Sequence, residues 1–275
     1  MLRLMLTLLS AVVMAIIAAP VLPDAGRLLQ VTAVLPQRVI YRDITTGVVA
    51  QVQTMPSNIT SIVVEPQGNR MAVHDTNGHI VIYNLPEGDR QVFSNPHASR
   101  VVMDWHGEYL VVIGNDGAFN MNVNTGEFTP LTDERVRYVD TSPEQVLAYT
   151  TRSGLFLQSA DEPRGWMLRR MSVNSPIYSE PTFSPDGNRL AFVADSYEPA
   201  ERGIFIYDME DHSMRKITPD AFRVVNRPAW SADGDRIVYQ YITGRTSHLY
   251  MIDLETGRQT TLGETVPATV LVWTR

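Results

Sequence analysis

Residues able to do acid–base, metal or nucleophilic chemistry are present in this chain, but they are scattered. His74, His79, His97, His106, His212 and His248 show no His-Glu-x-x-His pattern and no other close ligand spacing. His74 and His79 approach each other only across a turn around Asp75, and Asn77-Gly78 makes that an ordinary turn. Carboxylates at Asp75, Asp104, Asp140, Glu180 and Asp195 could converge near one mouth of a ring, where glycosidase-type chemistry would need a defined separation between two of them. Asp186, Asp233 and Gln67 recur at equivalent positions, and Asp-Gly there answers a turn requirement. There is no cysteine, which excludes disulfides, thiolate metal sites and cysteine nucleophiles together. Phosphate-binding glycine loops and a Gly-x-Ser-x-Gly elbow are also missing. The sequence therefore assigns no catalytic residue, no metal ligand and no cofactor, and it leans away from an enzyme.

The elements that would have to position any site are short strands, and they repeat. The clearest unit runs Pro181-Thr-Phe-Ser-Pro-Asp-Gly-Asn-Arg-Leu-Ala-Phe-Val-Ala194, followed by Gly203-Ile-Phe-Ile-Tyr-Asp-Met209. Its nearest copy is Pro228-Ala-Trp-Ser-Ala-Asp-Gly-Asp-Arg-Ile-Val-Tyr-Gln240, followed by Ser247 to Leu254. A third copy begins at Val64, and weaker ones begin at Met103 and near Asp140. Spacings of about 40 residues suit four strands and their turns. Each unit reads as a short apolar strand A, a Pro-Asp-Gly turn, strand B, a loop, strand C, an Asn-Thr-Gly or Glu-Thr-Gly turn, and a polar strand D. Sheets of this kind bury both faces by stacking radially around an axis.

The two ends complement each other. Strand-like segments at 27–34, 38–43 and 48–53 match strands B, C and D with strand A missing, while Thr269-Val-Leu-Val-Trp273 is a strand A with nothing after it. The expectation is a six-bladed, all-β propeller of four-stranded antiparallel blades, seven blades being the alternative. Its domain is 24–275, with one blade shared by 27–54 and 268–275. Before it, Leu4 to Leu22 carries no charge and follows Arg3, so 1–23 reads as a signal peptide or an N-terminal transmembrane helix. Either reading places the propeller outside the cytoplasmic membrane. It is then membrane-anchored through residues 4–22, or periplasmic or extracellular after cleavage.

The Phe-Ser-Pro-Asp-Gly-Asn-Arg-Leu-Ala-Phe run at 183–192 resembles the WD40-like, TolB-type propeller repeat, and 230–239 carries a close variant. The resemblance implies the fold and an exported location, and its motif residues are turn and core residues, which specify no function. The net charge of −7, without a Lys/Arg cluster, argues against a nucleic-acid partner. What remains is a protein partner, met on the rim shared by the B–C loops and D–A connections. Two B–C loops look longer than the rest, 195–202 and 241–247. The interaction candidates are therefore Tyr197, Glu198, Arg202, Tyr241 and Arg245, with Arg223, Asn226 and Arg227 bordering them, because Tyr and Arg are frequent interface anchors. The expected function is a non-catalytic protein-interaction scaffold, an accessory subunit of an envelope complex. The alternatives are a small-molecule or carbohydrate-binding propeller and an axial-pocket hydrolase or lyase.

Overall fold

The computed structural model describes residues 27–34, 38–43, 49–52, 59–85, 89–97, 103–159, 161, 165–170, 181–195, 202–219, 228–243, 246–265 and 270–274. Every regular element among them is a strand. β1 (Arg27–Val34), β2 (Arg38–Asp43) and β3 (Val49–Val52) come first. Five blades of four consecutive strands follow. The first holds β4 (Ile59–Val64), β5 (Arg70–Asp75), β6 (His79–Asn84) and β7 (Arg90–Ser94). The second holds β8 (Met103–His106), β9 (Tyr109–Ile113), β10 (Ala118–Asn122) and β11 (Phe128–Thr132). The third holds β12 (Tyr138–Thr141), β13 (Leu147–Thr150), β14 (Gly154–Gln158) and β15 (Trp166–Arg170). The fourth holds β16 (Thr182–Phe183), β17 (Arg189–Asp195), β18 (Arg202–Asp208) and β19 (Met214–Lys216). The fifth holds β20 (Ala229–Trp230), β21 (Arg236–Thr243), β22 (Thr246–Asp253) and β23 (Gln259–Thr265), and β24 (Val270–Thr274) ends the chain.

β24 pairs antiparallel with β1, from Arg27 opposite Thr274 to Val31 opposite Val270. The two ends thus make one further four-stranded sheet, in the order β24-β1-β2-β3. Its inner strand touches both β20 and β4, which closes the ring. The expected six-bladed propeller is corrected to five blades continuous in sequence and a composite sheet from the two ends; the helix expected within 1–23 lies outside the described residues. Residues 1–26 lie outside the described residues, and no described helix is long and apolar enough to cross a membrane.

Core packing lies between blades rather than within them. Ala72, Ile80 and Ile82 of the first blade pack on Trp105, Leu110 and Val112 of the second. Leu155 and Leu157 of the third meet Leu190 and Phe192 of the fourth, whose other face sends Val193 and Ile206 against Trp230 and Ile237. Alternating apolar side chains on both faces of strands B and C are what this two-sided burial requires.

A residue with positive φ recurs at the A–B junction of each of the five continuous blades, within a two-residue turn in the second and a longer turn in the others. Gly68, Gly107, Gly187 and Gly234 all take positive φ there. In the third blade Gln145 holds the same position at φ 66°. A side chain in this left-handed region costs about 1–2 kcal/mol. Gln145→Gly should therefore raise stability by about 0.5–1 kcal/mol after the extra freedom glycine gives the unfolded chain. The midpoint of urea unfolding measures it.

Candidate functional site

The strand-A ends and A–B turns of the five continuous blades surround a funnel of about 410 Å³. Val63, Val64, Pro66 and Gln67 come from the first blade, and Asp104 to Gly107 from the second. The third gives Asp140, Thr141 and Pro143, the fourth Thr182 to Pro185, and the fifth Pro228, Ala229, Trp230 and Ala232. Sequence separation is large, but every contributor sits at the same point of the repeat. Convergence follows from the ring.

The turns that build the mouth repeat atom by atom. Ser184 Oγ accepts the Arg189 N–H at 2.9 Å and donates to Asp186 Oδ1 at 2.5 Å. Ser231, Arg236 and Asp233 reproduce both contacts at the same distances. Burial works against the Asp186 and Asp233 charges, yet serine and backbone donors hold both carboxyls below their ordinary range. Arginines tie two of the A–B turns to the next blade. Arg70 lies over the Trp105 ring at 5.0 Å and Arg189 over Trp230 at 5.3 Å. The Trp230 indole N–H donates to Thr182 O of the preceding blade at 3.0 Å, while the Trp105 N–H stays within its own blade on Gly107 O.

Two of the carboxylates singled out in the sequence do meet here. Asp104 and Asp140 line the funnel and are each 5% exposed. Asp140 Oδ2 accepts the Phe183 N–H of the next blade at 2.5 Å, and Asp104 is likewise engaged within the fold. Asp75 is at the opposite end of its strand, on the B–C rim. There it accepts the Asn77 and His79 backbone N–H groups at 2.9 Å and faces His79 Nδ1 at 3.2 Å. Glu180 and the Asp195 side chain fall outside the described residues. Among the described residues no group of three or more His, Asp or Glu side chains is placed to hold a metal ion.

Of the expected interaction rim, Tyr197, Glu198, Arg223, Asn226, Arg227 and Arg245 lie outside the described residues, and Arg202 is described only as the first residue of β18. Tyr241 is described, half-buried, and it corrects the loop drawn around it. β21 and β22 continue past it, with Tyr241 opposite His248, Ile242 opposite Ser247 and Thr243 opposite Thr246. Only 244–245 separate the strands. Tyr, Ile and Thr favour a pleated strand, so the hairpin extends instead of opening. Asp195 and Arg202, by contrast, are the last pair of β17 and β18 and do bound a longer connection.

The same rim of the first blade carries a pH-sensitive group. His74 is 3% exposed, its Nδ1 lies 2.5 Å from Thr60 Oγ1, and its Nε2 has no hydrogen-bond partner. Burial pushes its pKa below the ordinary imidazole value, against the pull of Asp75 and with help from His79. The unfolded chain therefore takes up its proton first as pH falls through about 6.5. Stability should drop below that pH, until the lower folded-state pKa is reached. His74→Leu should flatten this part of a stability-against-pH curve from urea melts. Asp75, held low by its donors against burial, acts only below about pH 4.

No protein-family model and no curated protein matches this chain. Solved structures do. TolB from Acinetobacter baumannii aligns with a TM-score of 0.69 at 16% identity, over 90% of this chain and 66% of that one. The putative TolB from Agrobacterium tumefaciens aligns at 0.65 and 15% identity, over 89% of this chain and 91% of its own. The fold is a TolB-like propeller. An oligogalacturonate lyase in complex with manganese also aligns, at 0.60 and 15% identity, over 81% and 69% of the two chains. At these identities the likeness is one of fold, and the chain spans about two thirds of the Acinetobacter TolB.

Proposed function

We propose that this chain is a non-catalytic protein-interaction scaffold working outside the cytoplasmic membrane, as an accessory subunit of an envelope complex. The observation that carries the reading is the central mouth. A buried carboxylate there serves as a structural acceptor, Asp140 for the Phe183 N–H, and the serine–aspartate pairs serve the turns. What the ring offers outward is a rigid mouth and two rims, the usual equipment of a binding repeat protein. The uncharged stretch Leu4 to Leu22, followed directly by the propeller, supports an exported and tethered location. Likeness to TolB structures supports the same reading at the level of fold.

The test is site-specific photo-crosslinking in the native host, with the photoreactive residue at Gln67 in an A–B turn or at Tyr197, between β17 and β18 in sequence. One discrete crosslink to an envelope protein from either position is expected. Recovery of the chain alone and freely soluble from both positions would refute the scaffold and bring the ligand-binding alternative forward.

A further inference from the structure

Among the described residues the funnel lining holds no Lys or Arg, its side-chain donors besides two indoles being the Gln67 amide, the His106 ring and the Thr and Ser hydroxyls. Pro66, Pro143, Pro185 and Pro228 line it without a backbone N–H. The indole N–H groups of Trp105 and Trp230 are already committed to carbonyls. Facing the same space are the Asp104 and Asp140 carboxylates and the Thr141 hydroxyl, which is buried without a partner. Such a surface complements a ligand that brings donors and positive charge, and its aromatic and proline walls accept an aliphatic stem.

Charge around the mouth points the same way. Glu108, Glu144, Asp186, Asp233 and Asp235 are exposed on the A–B turns. The arginines of those turns are occupied: Arg70 with Glu65 and Trp105, Arg189 over Trp230, Arg236 with Asp233. Farther out, Asp89, Glu127, Glu210, Asp211 and Glu255 are exposed at the C–D turns of the same face and outnumber the exposed Arg90, Arg215 and Arg258 there. The opposite rim balances Asp133 and Glu134 with the exposed Arg135 and Arg152. A volume of about 410 Å³ is at the low end of the ~300–1,000 Å³ typical of ligand pockets. That admits a few side chains of an extended segment and no folded domain. Topology adds a location, because the chain enters β1 at Arg27 and leaves β24 at Thr274, both on this face. An occupant of the funnel would sit beside the propeller's junction with the N-terminal segment.

We propose that the funnel and its acidic rim seat an extended cationic segment of a partner protein, with Lys or Arg head groups held by the exposed acids of the A–B turns. The inference rests on the scaffold reading and names the face and chemistry of the partner. Its test uses the detergent-solubilised full chain and two fluorescein-labelled decapeptides, one alternating Lys with Leu and the other alternating Glu with Leu. The Lys peptide should bind, more weakly as salt rises, and the Glu peptide should not. Glu108→Lys with Glu144→Lys should weaken Lys-peptide binding at least tenfold at an unchanged melting temperature. Asp133→Lys with Glu134→Lys makes the same change in net charge on the opposite rim and should leave binding within twofold. Equal affinity for the two peptides, or equal losses in the two double variants, would overturn the proposal, since binding would then follow net charge. If crosslinking captures a partner through Tyr197 while neither peptide binds, the scaffold reading stands and the cationic segment falls.

Discussion

Removing residues 270–274 should abolish cooperative folding of the whole propeller. β24 is the innermost strand of the composite sheet, pairs with β1 over five positions, and lies against β20 on one side and β4 on the other. Without it, β1 becomes an unpaired edge and the ring opens between the first and fifth blades. Each blade buries its faces only on its neighbours, so one gap exposes core at two interfaces. The loss is on the order of the whole stability of a domain, ~5–15 kcal/mol. Far-UV circular dichroism and urea titration of the truncated chain would measure it. A cooperative transition with a urea midpoint close to that of the full chain would show that ring closure matters little. The converse variant is a circular permutant opened between β3 and β4, with Thr274 joined to Arg27 through a Ser-Pro-Asp-Gly turn copied from 184–187. It makes the composite sheet continuous and should fold.

Strands were the legible part of this sequence because their pattern is enforced five times over. A strand that stacks on both sides must be apolar on both faces, and the turn before strand B must admit positive φ, so Leu190 to Val193 and Asp186-Gly187 announce themselves. Exceptions went unread where another residue tolerates the same backbone. Gln145 stands at a glycine position of the A–B turn, and His212 matches Gly126 and Gly257 of the C–D turn, with φ of 60°. In sequence the extra length of β21 and β22 looks the same as a loop, because a hairpin extension and an insertion add the same residues. Tyr241 shows which it is only through its pairing with His248.

The funnel was harder to read for a geometric reason. Its walls are strand-A residues such as Val63, Phe183 and Ala229, whose apolar character means only burial when a single strand is considered. Their convergence appears when five equivalent positions are placed on one ring. Asp104 and Asp140 were recognisable as carboxylates on equivalent strands, but their burial, and the engagement of Asp140 by Phe183 of the next blade, depend on neighbours 40 residues away. Long loops are the conspicuous feature of the B–C rim in sequence. The turns of the opposite face are short because they are structural, and their acids and prolines are easily dismissed for that reason.

The two strand-A tryptophans that stack under arginines allow the coupling between blades to be separated from simple burial. Trp105 and Trp230 are 4% and 6% exposed, and each lies beneath an arginine of the preceding blade. Alanine at either position should cost about 3–5 kcal/mol, the range for emptying a large aromatic site in a core. Phenylalanine should separate them. At Trp105 it removes a hydrogen bond to Gly107 O, which solvent can replace at that exposed turn. At Trp230 it removes the bond to Thr182 O, which is buried and belongs to the preceding blade. A buried hydrogen bond contributes about 0.5–1.5 kcal/mol. Trp230→Phe should thus be less stable than Trp105→Phe by about 1 kcal/mol in guanidinium unfolding. Equal losses would mean that the indole bond contributes little and that apolar packing alone joins the fourth blade to the fifth. A larger loss at Trp230 would locate part of the ring's rigidity in a polar link at the funnel wall, the surface any occupant of the mouth must touch.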